Sequence, residues 1–96
     1  MSDLETKADV VAAIAACLHV APPRMSTGST EPKEIFQIVN EQLGLGLDPK
    51  LTKPDLARAI VEAAGFNWAP THESRGGTVT ISGLRAVLRA VELFTG

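Results

Sequence analysis

The chain has 96 residues, a formal net charge of −2 and a hydrophobic share of 45%, which suits one small domain with one core. That charge excludes the global basic field of a strong non-specific nucleic-acid binder, and the single cysteine, Cys17, excludes an internal disulfide framework. No apolar run approaches the roughly 20 residues of a membrane span. The N-terminus Met1-Ser2-Asp3-Leu4-Glu5 has neither the basic nor the long apolar part of a signal peptide. A soluble, cytoplasmic protein is therefore expected, and the close of the sequence at Phe94-Thr95-Gly96 fits a module of a longer chain.

Four helices are predicted in chain order. Val10, Val11, Ile14, Cys17 and Leu18 form one face of the first, and Ile35, Val39 and Leu43, widened by Phe36 and Ile38, one face of the second. Leu56, Ile60 and Ala63 line up on the third. Ile81, Leu84, Val87, Leu88, Val91 and Phe94 follow a period near 3.6 on the fourth. Thr6-x-x-Asp9 and Thr52-x-x-Asp55 read as N-caps with an acid at the positive end of each helix. Pro54 is tolerated in a first turn, whose N–H groups have no helical partner. The second helix is expected to begin at Thr30, with Pro32 in its first turn, and the fourth at Thr78 or Thr80. Gly44 and Gly65 read as C-caps. Thr78-Val79-Thr80-Ile81 is β-prone, and a short extended piece is expected there.

The same signals occur twice. Thr6-Lys7-Ala8-Asp9-Val10 returns as Thr52-Lys53-Pro54-Asp55-Leu56, and Ala13-Ile14 as Ala59-Ile60, an offset of 46 residues. Ala21-Pro22 returns as Ala69-Pro70, and Ser26-Thr27-Gly28-Ser29-Thr30 as Ser74-Arg75-Gly76-Gly77-Thr78, an offset of 48 after a two-residue insertion near Gly65 to Trp68. Repeats decide architecture. The expected fold is a single all-α domain over 1–96, a compact four-helix body made of two tandem helix–loop–helix repeats (about 6–44 and about 52–94) with pseudo-twofold symmetry.

The chemistry lies in the differences between the copies. Residues 1–48 carry seven acids and three bases, whereas residues 49–96 carry four acids and six bases. The repeated Ser-x-Gly-x-Thr loop runs into a helix N-terminus, where hydroxyls, glycines and first-turn N–H groups can either receive an anion or simply build the turn. It is not a P-loop, since the Gly-Lys-Ser/Thr ending is missing. In the second copy Arg75 replaces Thr27, and Arg85 and Arg89 lie one turn apart on the last helix in place of Gln37 and Glu41. The nucleic-acid-binding residues predicted on this basis are Lys53, Arg58, Arg75, Gly76, Gly77, Thr78, Arg85 and Arg89. The alternative for the cations is a solvated face partly neutralised by Glu62 and Glu92. Trp68 can stack on a base or a partner, or plug the edge of the core. Cys17 and His19, two apart, do not share a helical face, and His72-Glu73 has no counterpart in the first copy, so no metal site, cofactor or catalytic residue is expected.

Two resemblances follow from these motifs. Thr52-Lys53-Pro54-Asp55-Leu56-Ala57-Arg58-Ala59-Ile60-Val61-Glu62-Ala63-Ala64-Gly65 resembles the first helix of bacterial histone-like DNA-bending proteins. This chain lacks the β-saddle and basic arms of that family, so only the capping pattern is shared. The stretches Ser26 to Leu43, Leu51 to Trp68 and Ser74 to Thr80 resemble helical modules of prokaryotic restriction-endonuclease-type proteins. That likeness implies a DNA-recognition module beside a separate nuclease domain, reading double-stranded DNA without cutting it. The sequence thus favours a DNA-binding module. The alternative is a protein-interaction or dimerisation module that uses the acidic first half and Trp68.

Overall fold

The computed structural model describes residues 6–21, 33–74 and 77–96. Four α-helices follow one another: α1 (Lys7–Cys17), α2 (Lys33–Leu43), α3 (Lys53–Ala63) and α4 (Ile81–Thr95), with a single 3₁₀ turn, Pro70–His72, between α3 and α4. The fold is all-α, as expected. The body is 30 × 30 × 23 Å. None of its described helices is long and apolar enough to cross a membrane.

The helix ends are set by local chemistry. The side chains of Thr6, Thr52 and Thr80 accept from the N–H groups of Asp9 (3.1 Å), Asp55 (3.4 Å) and Gly83 (3.2 Å), each three residues on. Thr80 is therefore the cap of α4, and the expected extended piece at 78–81 shrinks to one antiparallel bridge between Glu73 and Val79. The reason is competition: Thr80 turns its hydroxyl to the helix, and Ile81 already belongs to it. The expected start of the second helix at Thr30 and Pro32 lies outside the described residues.

The C-terminal ends of α1 and α3 close in the same way. Val20 N–H reaches Ala15 O (3.0 Å) and His19 N–H reaches Ala16 O (3.1 Å); Phe66 N–H reaches Val61 O (3.1 Å) and Gly65 N–H reaches Glu62 O (2.9 Å). These are Schellman endings, 46 residues apart. The left-handed position is Gly65 (φ 87°) in one and His19 (φ 57°) in the other. Histidine carries a steric cost there that glycine does not.

α4 is the central helix, packed on α1, on α3 and on the 3₁₀ turn, while α2 lies mainly against α3 and touches α1 more thinly. The core holds Val10, Val11, Ile14 and Ala15 of α1, Ile35, Phe36 and Val39 of α2, Leu56, Ala57, Ile60 and Val61 of α3, and Leu84, Val87, Leu88, Ala90 and Val91 of α4. Two expected facing residues are placed differently. Ala63 is exposed, because Ala57 and Val61 fill the inward side of α3, and Phe94 lies in the last turn of α4, 39% exposed.

The link between the copies is pinned rather than slack. Asn40, the buried polar side chain of α2, donates through Nδ2 to Leu47 O (2.9 Å) and accepts at Oδ1 from Leu47 N–H (2.8 Å). Gln37 Nε2 donates to Pro49 O (3.2 Å), and Leu45, Leu47 and Leu51 pack partly buried against the core. Asn40→Ala strands both backbone groups of Leu47 and is expected to cost about 2–3 kcal/mol in denaturant unfolding. His19→Gly is expected to raise stability by about 1 kcal/mol in the same assay, by relieving the left-handed backbone.

Candidate functional site

The site is a groove of about 340 Å³ between the outer face of α4 and the segment after α3. Its lining is Ser82, Arg85, Ala86 and Arg89 from α4, with Phe66, Asn67 and His72 opposite. Ser82, Arg85 and Arg89 fall at i, i+3 and i+7, so the helical period brings them onto one side. The Arg89 guanidinium carbon sits 5.9 Å from the centre of the Phe66 ring, which is 37% exposed. This distance lies within the range of a cation–π contact. No described residue lining the groove is acidic, although the chain as a whole carries −2.

The opposite wall is held in place by short-range bonds. Trp68 packs partly buried against the core, its ring 4.9 Å from that of His72 with the planes at 62°. Its Nε1 donates to Glu73 Oε1 (3.2 Å). His72 Nδ1 accepts from Ala69 N–H (3.0 Å), which closes the 3₁₀ turn and leaves the ring proton on Nε2. The turn is then fastened to α4, where Thr80 N–H donates to His72 O (3.0 Å) and Thr80 Oγ1 donates to Thr71 O (2.7 Å). Glu73 and the Nδ1 edge of His72 are thus engaged in holding this wall, and Trp68 serves as a prop for the core edge.

Gly83 makes this fastening possible. A Cβ at Gly83 would fall inside clash distance of the His72 carbonyl oxygen and 2.5 Å from Val79 Cγ1. The residue that weakens the helix on propensity grounds is the one that lets the 3₁₀ turn rest on α4.

The predicted site residues separate into three sets. Arg85 and Arg89 come together in the groove. Lys53 and Arg58 ride α3 and do not line it; Arg58 Nη2 lies 4.0 Å from Asp55 Oδ1, one turn away. Gly77 and Thr78 belong to a turn that uses its own polar groups: Ser74 N–H donates to Thr78 O (2.9 Å), Gly77 N–H to Ser74 O (3.3 Å), and the hydroxyls of Ser74 and Thr78 bond to each other. Arg75 and Gly76 lie outside the described residues, as does the matching loop of the first copy. Phe66, Asn67 and Ser82 are not among the site residues expected from sequence. The signal for Ser82 was its helical register with the two arginines; for Asn67 only its adjacency to Phe66 and Trp68 was available.

A second cleft, at the C-terminal ends of α1, α2 and α4, is lined by residues that include Cys17, His19, Gln42 and Thr95. Burial first, and the Glu92 carboxylate second, push the Cys17 thiol above its ordinary range, so it is poor in thiolate. Among the described residues no three His, Cys, Asp or Glu side chains gather to hold a metal ion.

Gly83→Ala normally strengthens a helix by about 1 kcal/mol. Here it is expected to destabilise the protein by about 1–3 kcal/mol, measured by thermal or denaturant unfolding, because the His72 carbonyl must be displaced.

Comparison with protein-family models, with curated proteins and with solved structures gives no match, so the functional reading rests on the residues themselves.

Proposed function

We propose that the chain is a DNA-binding module whose contact surface centres on the α4 groove. The observation that carries this reading is the pairing of Arg85 and Arg89 in one groove without an acid in its described lining, on a molecule that is acidic overall. Guanidinium groups bind phosphate oxygens in a planar, bidentate fashion and stack on flat ligands, which suits them to nucleic acid. Lys53, Arg58, Arg75, Gly76, Gly77 and Thr78 belong to the same proposal as flanking contacts, with double-stranded DNA as the partner. The pseudo-twofold relation of the two copies belongs to the same proposal, supported by the threonine caps and Schellman endings that α1 and α3 share at the 46-residue offset. In line with the restriction-type resemblance, the proposed role is that of a cytoplasmic reader, accessory to a nuclease domain, with no catalytic residue or cofactor of its own.

Short duplexes titrated at low salt, by mobility shift or fluorescence anisotropy, test the proposal. Affinity is expected to fall linearly on a log–log plot against salt. Arg85→Ala and Arg89→Ala are each expected to weaken binding about tenfold and to reduce the salt slope by about one. Absence of binding at tens of micromolar protein, or affinity untouched in the double variant, overturns it.

A further inference from the structure

We infer that the groove receives one unpaired nucleotide of a DNA strand, its phosphate on the Arg85 and Arg89 side and its base against Phe66. The inference rests on the DNA-binding reading and adds which part of DNA enters the site. A patch that served only duplex phosphates would need cations on an open face. This groove has three kinds of surface instead. Arg85 and Arg89 supply charge along α4, and Phe66 offers an exposed aromatic ring, already within cation–π range of Arg89. Asn67, Ser82 and His72 supply an amide, a hydroxyl and, because His72 Nδ1 is occupied by Ala69 N–H, a ring N–H at Nε2. Charge, flat ring and edge-reading polar groups together match phosphate, base face and base edge. Within a duplex the base faces are covered by their neighbours, so only an unpaired or extruded base can lie on Phe66. The volume of about 340 Å³ is at the small end of ligand sites and suits a single unit rather than a strand segment.

The test compares three labelled probes with the whole chain at low salt: a short perfect duplex, the same duplex carrying one bulged 2-aminopurine, and the single strand with that base. The bulged duplex and the single strand are expected to bind at least about tenfold tighter than the perfect duplex, with 2-aminopurine emission quenched by stacking. Phe66→Leu keeps the apolar bulk and removes the aromatic face; it is expected to abolish the preference for the bulged duplex and the single strand over the perfect duplex. Arg89→Lys keeps the charge and removes the planar group, and is expected to reduce the preference; it serves equally if the Phe66 variant loses its helical circular dichroism. Equal affinity for bulged and perfect duplex, or a preference that survives both variants, overturns the inference and leaves the DNA-binding reading standing. Failure of all three probes to bind removes both. Protection of the groove by a free deoxynucleoside monophosphate, with no oligonucleotide bound, assigns it to a small nucleotide and overturns the strand proposal.

Discussion

The close approach of the His72 carbonyl to Gly83 is the constraint on which the groove depends. The His72 carbonyl lies close against the bare Cα of Gly83, with the Val79 side chain beside it. That contact positions the Thr80 bonds to Thr71 and His72, and these fix the wall opposite the two arginines. A methyl group at 83 would lift the whole segment from Ala69 to Glu73 away from α4. The groove is therefore a product of backbone packing first and of side-chain chemistry second. Trp68 supports the same arrangement from behind, through its ring contact with His72 and its bond to Glu73.

The duplicated signals act at different levels. The threonine caps and Schellman endings of α1 and α3 need only their own few residues, so they recur at the offset read from the sequence. Packing is a global matter, and there the copies part: α4 contacts α1, α3 and the 3₁₀ turn, whereas α2 lies mainly on α3. The polar face of α4 lies outside the cap and the core, and there the two copies differ most in charge. Gln37 and Glu41 of the first copy stand where Arg85 and Arg89 stand in the second.

Most of the helices were legible because their signals are short-range: a hydroxyl three residues before an acid, an apolar stripe, a glycine at the end. Residues whose fate depends on neighbours far along the chain were less legible. Ala63 matched the period but faces water, since α3 turns Ala57 and Val61 to the core. The 78–81 stretch had β propensity, yet a single cap bond at Thr80 was enough to start the helix there. On helix propensity alone Gly83 counts against α4, because the segment that needs its bareness leaves no local pattern. Arg85 and Arg89, which share the groove, follow from their one-turn spacing and from the charge difference between the copies. The opposing Phe66, Asn67 and His72 joined them only through the tertiary fastening of the 3₁₀ turn.

Asn40 has a wider consequence. Its carboxamide treats Leu47 as a neighbouring strand would, engaging both backbone groups from a buried position on α2. A connection held this way is not a hinge. Opening it means pulling an amide out of the interior, an event tied to the cooperative loss of the core rather than to local fraying. The shared core and this pinned link are expected to make the two halves unfold as one cooperative unit. The two helix pairs on either side of 44–51 share one core, so each has an apolar face that only the other covers, and neither alone would persist as a half-domain.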